Sequence, residues 1–326
     1  MRIFINATAA KHGGALTILN SFLKSKGTDS SNNFVVMSPN KPLKKYENIT
    51  WIKKETSGFS TLFFALCTSW FYCKLYKCDK IISFSNVNTL LPLGSKVTYF
   101  HNALIFSGQE VKYFILRNII KYFGKKSCKY IVQTSYVEKT FKDEFGSGYK
   151  IEVRWPGVSA EVVQGKAKID FNIKEYDEKI KVLVPITDIS LTHKNFDLVL
   201  SIAELLIEND IAFFVTADSD LKIDNINFIG AQSRAAYLAL LDIVDATLIT
   251  STFETLCLPI FESLVKNKPV YVYSAPYLEG LFNDFGVIFG LTEFNNKDAL
   301  KSKLNCFSKI DINDKEKKYI SANWDF

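Results

Sequence analysis

Glu254 and Glu262 are the residues whose types and spacing most clearly suggest chemistry. They lie in Ser251-Thr-Phe-Glu254-Thr-Leu-Cys-Leu-Pro259-Ile-Phe-Glu262, on either side of a Leu-Pro step. Proline is at home in the first turn of a helix, where its missing N–H costs no hydrogen bond. The spacing therefore predicts a helix opening at Leu258-Pro259, with Glu254 on the loop before it and Glu262 within its first turn. A helix N-terminus presents unpaired N–H groups and a partial positive charge, so it attracts a phosphate. The two carboxylates would then accept hydrogen bonds from neutral hydroxyls beside that phosphate. The alternative is an acidic first turn that merely complements the helix dipole.

The elements that must position these residues follow from the apolar pattern. Short β-branched and aromatic runs alternate with longer helical stretches. In the first half the predicted strands are Ile3–Asn6, Phe34–Ser38, Ile49–Ile52, Lys80–Phe84, Lys96–Phe100, Tyr130–Gln133 and Ile151–Arg154. In the second they are Lys181–Ile186, Ala212–Thr216, Asn227–Ile229, Ala246–Thr250, Val270–Tyr273 and Val287–Phe289. Strands that are almost wholly apolar and separated by helices indicate parallel sheets covered on both faces. A polar stretch without apolar period separates the halves, giving an N-terminal domain over 1–160, a linker over 161–179 and a C-terminal domain over 180–326. The expected class is α/β, with two Rossmann-like doubly wound domains.

Composition narrows the function classes. The chain has 326 residues, 48% hydrophobic and 23% charged, as in ordinary globular proteins. It opens as a strand, without the basic n-region and apolar h-region of a signal peptide. The apolar, uncharged stretch Gly58 to Cys73 holds 16 residues, too few to span a bilayer, and reads as a core helix. Six cysteines without Cys-x-x-Cys spacing and only three histidines speak against a zinc site and fit reduced thiols in the cytoplasm. Residues 1–160 hold 23 basic against 9 acidic side chains, while the remainder holds 17 against 25. A surplus of 14 positive charges in one half points to a polyanionic surface. The segment Lys112–Lys126 (KYFILRNIIKYFGKK) interleaves basic and apolar residues at helical spacing, as an interfacial helix on an anionic membrane does. The alternative is an amphipathic helix packed on the sheet. No nucleic-acid recognition motif accompanies the basic charge, so nucleic acid is not an expected partner.

Gly-x-Gly-x-x-Gly is absent after the first strand; the segment Ala7–Leu16 carries Gly13-Gly14 instead, ahead of an apolar helix over Leu16–Leu23. Paired glycines there let backbone N–H groups approach a phosphate, or simply form a turn. Asp218-Ser-Asp220 reads as a polar turn rather than a metal site, and His193 as a residue that shapes its loop or meets a phosphate. Arg234 opens a helix and is either a phosphate contact or a surface charge.

Together these pieces resemble the retaining GT-B glycosyltransferases of family 4. The stretch Ser251–Leu264 followed by Lys268-Pro269-Val270 is similar to the family segment Pro-Ser-x-x-Glu-Gly-Phe-Gly-Leu-Pro-x-x-Glu-Ala with its Gly-x-Pro-Val. Gly13-Gly14 resembles the glycine pair of the first loop, Val97–His101 the strand ending in histidine, and Trp155-Pro-Gly157-Val158 the domain junction. Val184–Asn195 resembles the loop with a phosphate-binding lysine. The resemblance implies two domains facing across a cleft. It implies that Glu254 binds hydroxyls of the transferred sugar and Glu262 the ribose. Backbone N–H groups around Thr255, Leu256, Cys257 and Leu258 would hold the donor β-phosphate. Lys194 and Gly14, with Gly13 beside it, would stabilise the diphosphate, and His101 would lie near sugar and acceptor.

Departures from the pattern are specific. Ile189 stands where the family has arginine, which throws charge neutralisation onto Lys194, with Arg234 as possible help. Thr255, Leu256 and Cys257 replace smaller or different residues, and Asn267 replaces a glycine at a helix end. Trp324 resembles the tryptophan that introduces the family's last crossover helices. Either the chain stops early or this member lacks that crossover. The expected activity is transfer of a sugar from a nucleotide-sugar to a lipid-linked or lipopolysaccharide glycan, at the inner face of the cell membrane and without cofactor or metal. A GT-B nucleotide-sugar epimerase and a catalytically silent GT-B protein that binds nucleotide or membrane are the competing readings.

Overall fold

The computed structural model describes residues 1–124, 128–158, 173–208, 210–285, 291–294 and 319–326. It divides into two compact units, Met1–Gly157 with Ala322–Phe326, and Val158–Ser321. In the first unit seven parallel strands are β1 (Arg2–Asn6), β2 (Asn33–Ser38), β3 (Ile49–Lys53), β4 (Lys80–Ser83), β5 (Ser95–Tyr99), β6 (Cys128–Val132) and β7 (Lys150–Val153). Their order is β3-β2-β1-β4-β5-β6-β7. Phe4 and Ile5 of β1 and Ile81 of β4 are buried, as apolar residues on both faces of a covered sheet must be. The helices are α1 (Gly13–Lys26), α2 (Phe59–Phe63), a π turn (Phe64–Thr68), α3 (Ser69–Leu75), α4 (Leu104–Ser107), α5 (Val111–Phe123) and α6 (Ser135–Phe145).

The second unit repeats the plan with β8 (Ile180–Val184), β9 (Ile211–Val215), β10 (Ile226–Phe228), β11 (Ala246–Ile249), β12 (Val270–Tyr273) and β13 (Leu291–Phe294). Their order is β10-β9-β8-β11-β12-β13, and every pairing is parallel. The helices are α7 (Phe196–Leu205), α8 (Arg234–Ile243), α9 (Leu258–Val265) and α10 (Tyr277–Phe285). Val182, Val184, Phe213, Val215 and Leu248 of the sheet pack on Val199, Ile202 and Ala203 of α7 to form one core.

Two expectations are corrected, and one strand is added. The last five residues join the first unit rather than the 180–326 domain. Trp324 is buried there edge-on against Phe22, 5.4 Å between ring centroids, with its indole N–H on the Ser21 hydroxyl at 3.3 Å. A large ring with one polar handle is stable where both needs are met. Strand β13 was not predicted, and the strand expected at Val287–Phe289 lies outside the described residues. Finally, Gly58–Cys73 is no core helix: Phe64, Ala65 and Cys73 are buried, but Phe59, Phe63 and Phe71 are exposed.

Candidate functional site

In an open parallel sheet, ligands bind beyond the carboxyl ends of the strands where the strand order reverses. In the second unit that point lies between the neighbours β8 and β11. The loop leaving β8 carries Lys194, and the loop leaving β11 carries Glu254. A tight turn over Thr192–Lys194 closes with the Lys194 N–H on Leu191 O at 2.8 Å. Asn195 follows at φ 53°, left-handed backbone that asparagine tolerates. The loops are stitched together by Thr250 Oγ1 donating to Lys194 O at 2.7 Å and the Thr252 N–H to His193 O at 2.9 Å.

This stitching brings Lys194 Nζ to 2.5 Å from Glu254 Oε1. Burial opposes the lysine's charge, but the Glu254 carboxylate outweighs it, and the ammonium is held above its ordinary range. His193 beside it is pushed down, by burial first and then by Lys194, so it reads as a neutral loop residue.

Helix α9 opens at the same place. Cys257 precedes it at φ 38° and ψ 68°, and Pro259 sits in its first turn, as the sequence predicts. A left-handed residue followed by helical ones turns consecutive N–H groups toward a common point, the geometry of an anion nest. Thr255, Leu256, Cys257 and Leu258 form the approach to that helix end. The Cys257 thiol is raised well above its usual range, by burial and then by Glu254, and stays protonated.

Glu262 departs from expectation. It is the fifth residue of α9, past the first turn, and only 2% exposed. The helix starts at Leu258, so four residues carry the side chain around to the protein side. Its Oε1 accepts from Arg234 at 2.6 Å. Arg234, the first residue of α8, is thus engaged by Glu262 while its side chain stays about one-third exposed. Ser233 caps α8 by accepting from the Ala236 N–H at 3.2 Å, which fixes where that guanidinium emerges.

Two site residues escaped the sequence reading. Tyr277, at the start of α10, is buried with its hydroxyl beside Cys257, and burial, Cys257 and Glu254 suppress its ionisation. Tyr237 of α8 has a buried hydroxyl beside Glu262 and stacks under Arg234, 5.7 Å from ring centroid to guanidinium carbon. Aromatic residues within apolar helices read as core, and only folding shows a hydroxyl aimed at a carboxylate.

In the first unit, Gly13 and Gly14 open α1 after the six-residue loop that leaves β1, with Gly13 at φ +62°. A side chain at either would meet nothing within 4 Å, so the backbone there is open to approach. His101 lies just past β5. Its N–H donates to Asn86 Oδ1 at 2.8 Å, and its ring lies 5.9 Å from Tyr99. Burial pushes the imidazole down to about 4, partly offset by a hydrogen bond to the Tyr99 backbone, so the ring is neutral at physiological pH. Asp218-Ser-Asp220 forms a polar turn in which Ser219 Oγ accepts from the Leu221 N–H at 3.2 Å. Among the described residues no group of three or more His, Cys, Asp or Glu is placed to hold a metal.

No protein-family profile matches the sequence. No curated protein matches it either. Solved structures do match in fold. WaaG, a glycosyltransferase involved in lipopolysaccharide biosynthesis, superposes with a TM-score of 0.65 at 13% identity, over 93% of this chain and 89% of its own. Sucrose-phosphate synthase from Thermosynechococcus elongatus gives 0.63 at 10%, covering 94% and 89%. HepE of Anabaena, in complex with UDP and glucose, gives 0.62 at 15%, covering 94% and 89%. The fold is GT-B. Within this GT-B chain four predicted donor-side residues form two ion pairs, Lys194–Glu254 and Arg234–Glu262, while Gly13 and Gly14 follow β1 and His101 follows β5.

Proposed function

We propose that this chain is a retaining glycosyltransferase that moves a sugar from a nucleotide-sugar to a lipid-linked or lipopolysaccharide glycan at the inner face of the cell membrane. The observation that carries the reading is the Lys194–Glu254 pair, made by two loops at the switch point beside the α9 N-terminus. Similarity in fold to WaaG, to HepE solved with UDP-glucose and to a trehalose-6-phosphate enzyme solved with UDP-2-fluoro glucose supports a nucleotide-sugar as donor.

Breaking a glycosyl–phosphate bond builds negative charge on the departing diphosphate and positive character on the sugar. Fixed donors aimed at the leaving group are therefore the main catalytic resource. Lys194 and the α9 N-terminus supply them. Without donor, Lys194 and Glu254 neutralise each other; with donor, the diphosphate takes the ammonium and Glu254 accepts from sugar hydroxyls. Ile189 packs against the core of the second unit and brings no charge, and Arg234 is engaged by Glu262, so neutralisation rests on Lys194. The acceptor hydroxyl attacks on the face the diphosphate leaves, and a diphosphate oxygen takes its proton. Glu262 is held by Arg234 on the buried side of α9, so contact with the ribose requires that pair to open. The basic helix α5 faces anionic lipid.

A panel of nucleotide-sugars, scored by thermal shift and by turnover with and without lipid-linked acceptor, tests the reading. Glu254→Ala should retain the fold and lose transfer by at least about a hundredfold, the scale of one preorganised site group. Full transfer by that variant with its correct donor would overturn the assignment. Turnover without acceptor would mark an epimerase.

A further inference from the structure

The stretch from Phe59 to Leu75 exposes four large apolar side chains, Phe59 at 75%, Phe63 at 58%, Phe71 at 62% and Leu75 at 69%. Their spacing is in multiples of four. On an unbroken α-helix each four-residue step overshoots a full turn by about 40°, which would leave Phe59 and Leu75 about 160° apart. The π turn Phe64–Thr68 accommodates one extra residue and takes back about 100° of that drift. All four side chains therefore stay on one flank, while Phe64, Ala65 and Cys73 face the core.

Helix α5 covers the same core cluster as this segment. Leu62 and Leu66 of the ridge segment and Leu116 and Ile119 of α5 pack against the same core cluster. Phe114, Tyr122 and Phe123 of α5 are exposed as well. Lys74 and Lys77 at the end of the ridge segment and Lys112 and Lys121 of α5 are exposed. A row of large exposed apolar side chains along one flank marks an interaction surface. A second copy of this face would bring like charges together, which disfavours self-association. Anionic lipid meets both demands, with headgroups for the lysines and acyl chains for the rings.

We infer that the Phe59–Leu75 ridge inserts into the acyl region of an anionic bilayer, with the π turn keeping its side chains in line. The inference rests on the membrane-facing reading above and adds to it an inserted apolar element distinct from the basic helix.

The test uses the full chain with vesicles of phosphatidylcholine alone or mixed with phosphatidylglycerol. Wild-type protein should cosediment with the mixed vesicles. Phe59→Ser/Phe63→Ser/Phe71→Ser should lower that partitioning by roughly tenfold or more, with its melting temperature and donor-induced shift retained. In the single variant Phe63→Trp, emission should be quenched by lipids brominated on the acyl chain. Unchanged partitioning of the triple variant, or no quenching, would leave the ridge in water and overturn the inference. Concentration-dependent dimerisation abolished by the triple variant, without lipid binding, would assign the ridge to self-association and overturn it equally. Loss of the donor-induced shift with vesicle binding intact would count against the transferase reading alone.

Discussion

Cys257 holds a backbone conformation that glycine adopts without strain. At φ 38° its Cβ crowds the following carbonyl, at a cost of roughly 1–2 kcal/mol for an L-residue. Alanine normally outranks glycine in regular structure; at this position the order should reverse. Cys257→Gly is expected to be more stable than Cys257→Ala by about 1 kcal/mol, read by urea denaturation of the two variants. Equal stabilities, or alanine ahead, would show that the turn relaxes. Residues of this kind set the limit of what sequence reveals. Glu254 and Lys194 stand out as candidates because their motifs are long and their types are charged. Their direct contact was not legible, since 60 residues separate them and only the stitched loops bring them together. Asn267 was legible for the opposite reason: a helix end needs a left-handed residue, asparagine tolerates it, and φ there is 55°.

At the scale of elements, strands were easier to read than helix faces. A buried parallel strand is a short apolar run, and such runs stand out against polar loops. Helix faces need contrast between apolar and polar sides, and the uncharged stretch Gly58–Cys73 offers little. A π turn within it also breaks the single period on which a face is recognised. Helix α9 shows a second limit. Moving its start by a residue or two decides whether Glu262 is a solvated first-turn acid or a buried one, and boundaries are the least legible part of a helix. The buried placement makes Arg234 a clamp between α8 and α9. Arg234→Leu would leave the 2%-exposed Glu262 carboxylate unpaired, so it should cost about 3 kcal/mol or more. Arg234→Leu/Glu262→Leu should recover much of that loss, because no buried charge then remains. Chemical denaturation across this double-mutant cycle measures the coupling, and additive costs would show that the pair is not a clamp.

At the scale of the whole molecule, charge is divided against itself. Residues 1–160 carry a surplus of 14 positive charges, whereas the remainder carries 8 more acidic than basic side chains. The half proposed to take an anionic donor is thus the acidic one. Attraction for a diphosphate must then be local, from Lys194 at contact distance and from the α9 N-terminus, against an unfavourable background. Lipid binding by the basic half is the reverse, a sum of exposed charges acting over a distance. Salt separates the two, because exposed charges are screened beyond about 10 Å at about 0.1 M while part-buried contacts are screened far less. Raising salt from about 0.05 M to about 0.3 M should therefore weaken wild-type binding to anionic vesicles several-fold and leave the donor-induced melting shift nearly unchanged. The binding that survives at high salt should be the apolar share, and it should vanish in Phe59→Ser/Phe63→Ser/Phe71→Ser. A donor shift that falls as steeply as vesicle binding would place donor recognition in long-range charge rather than in Lys194 and α9.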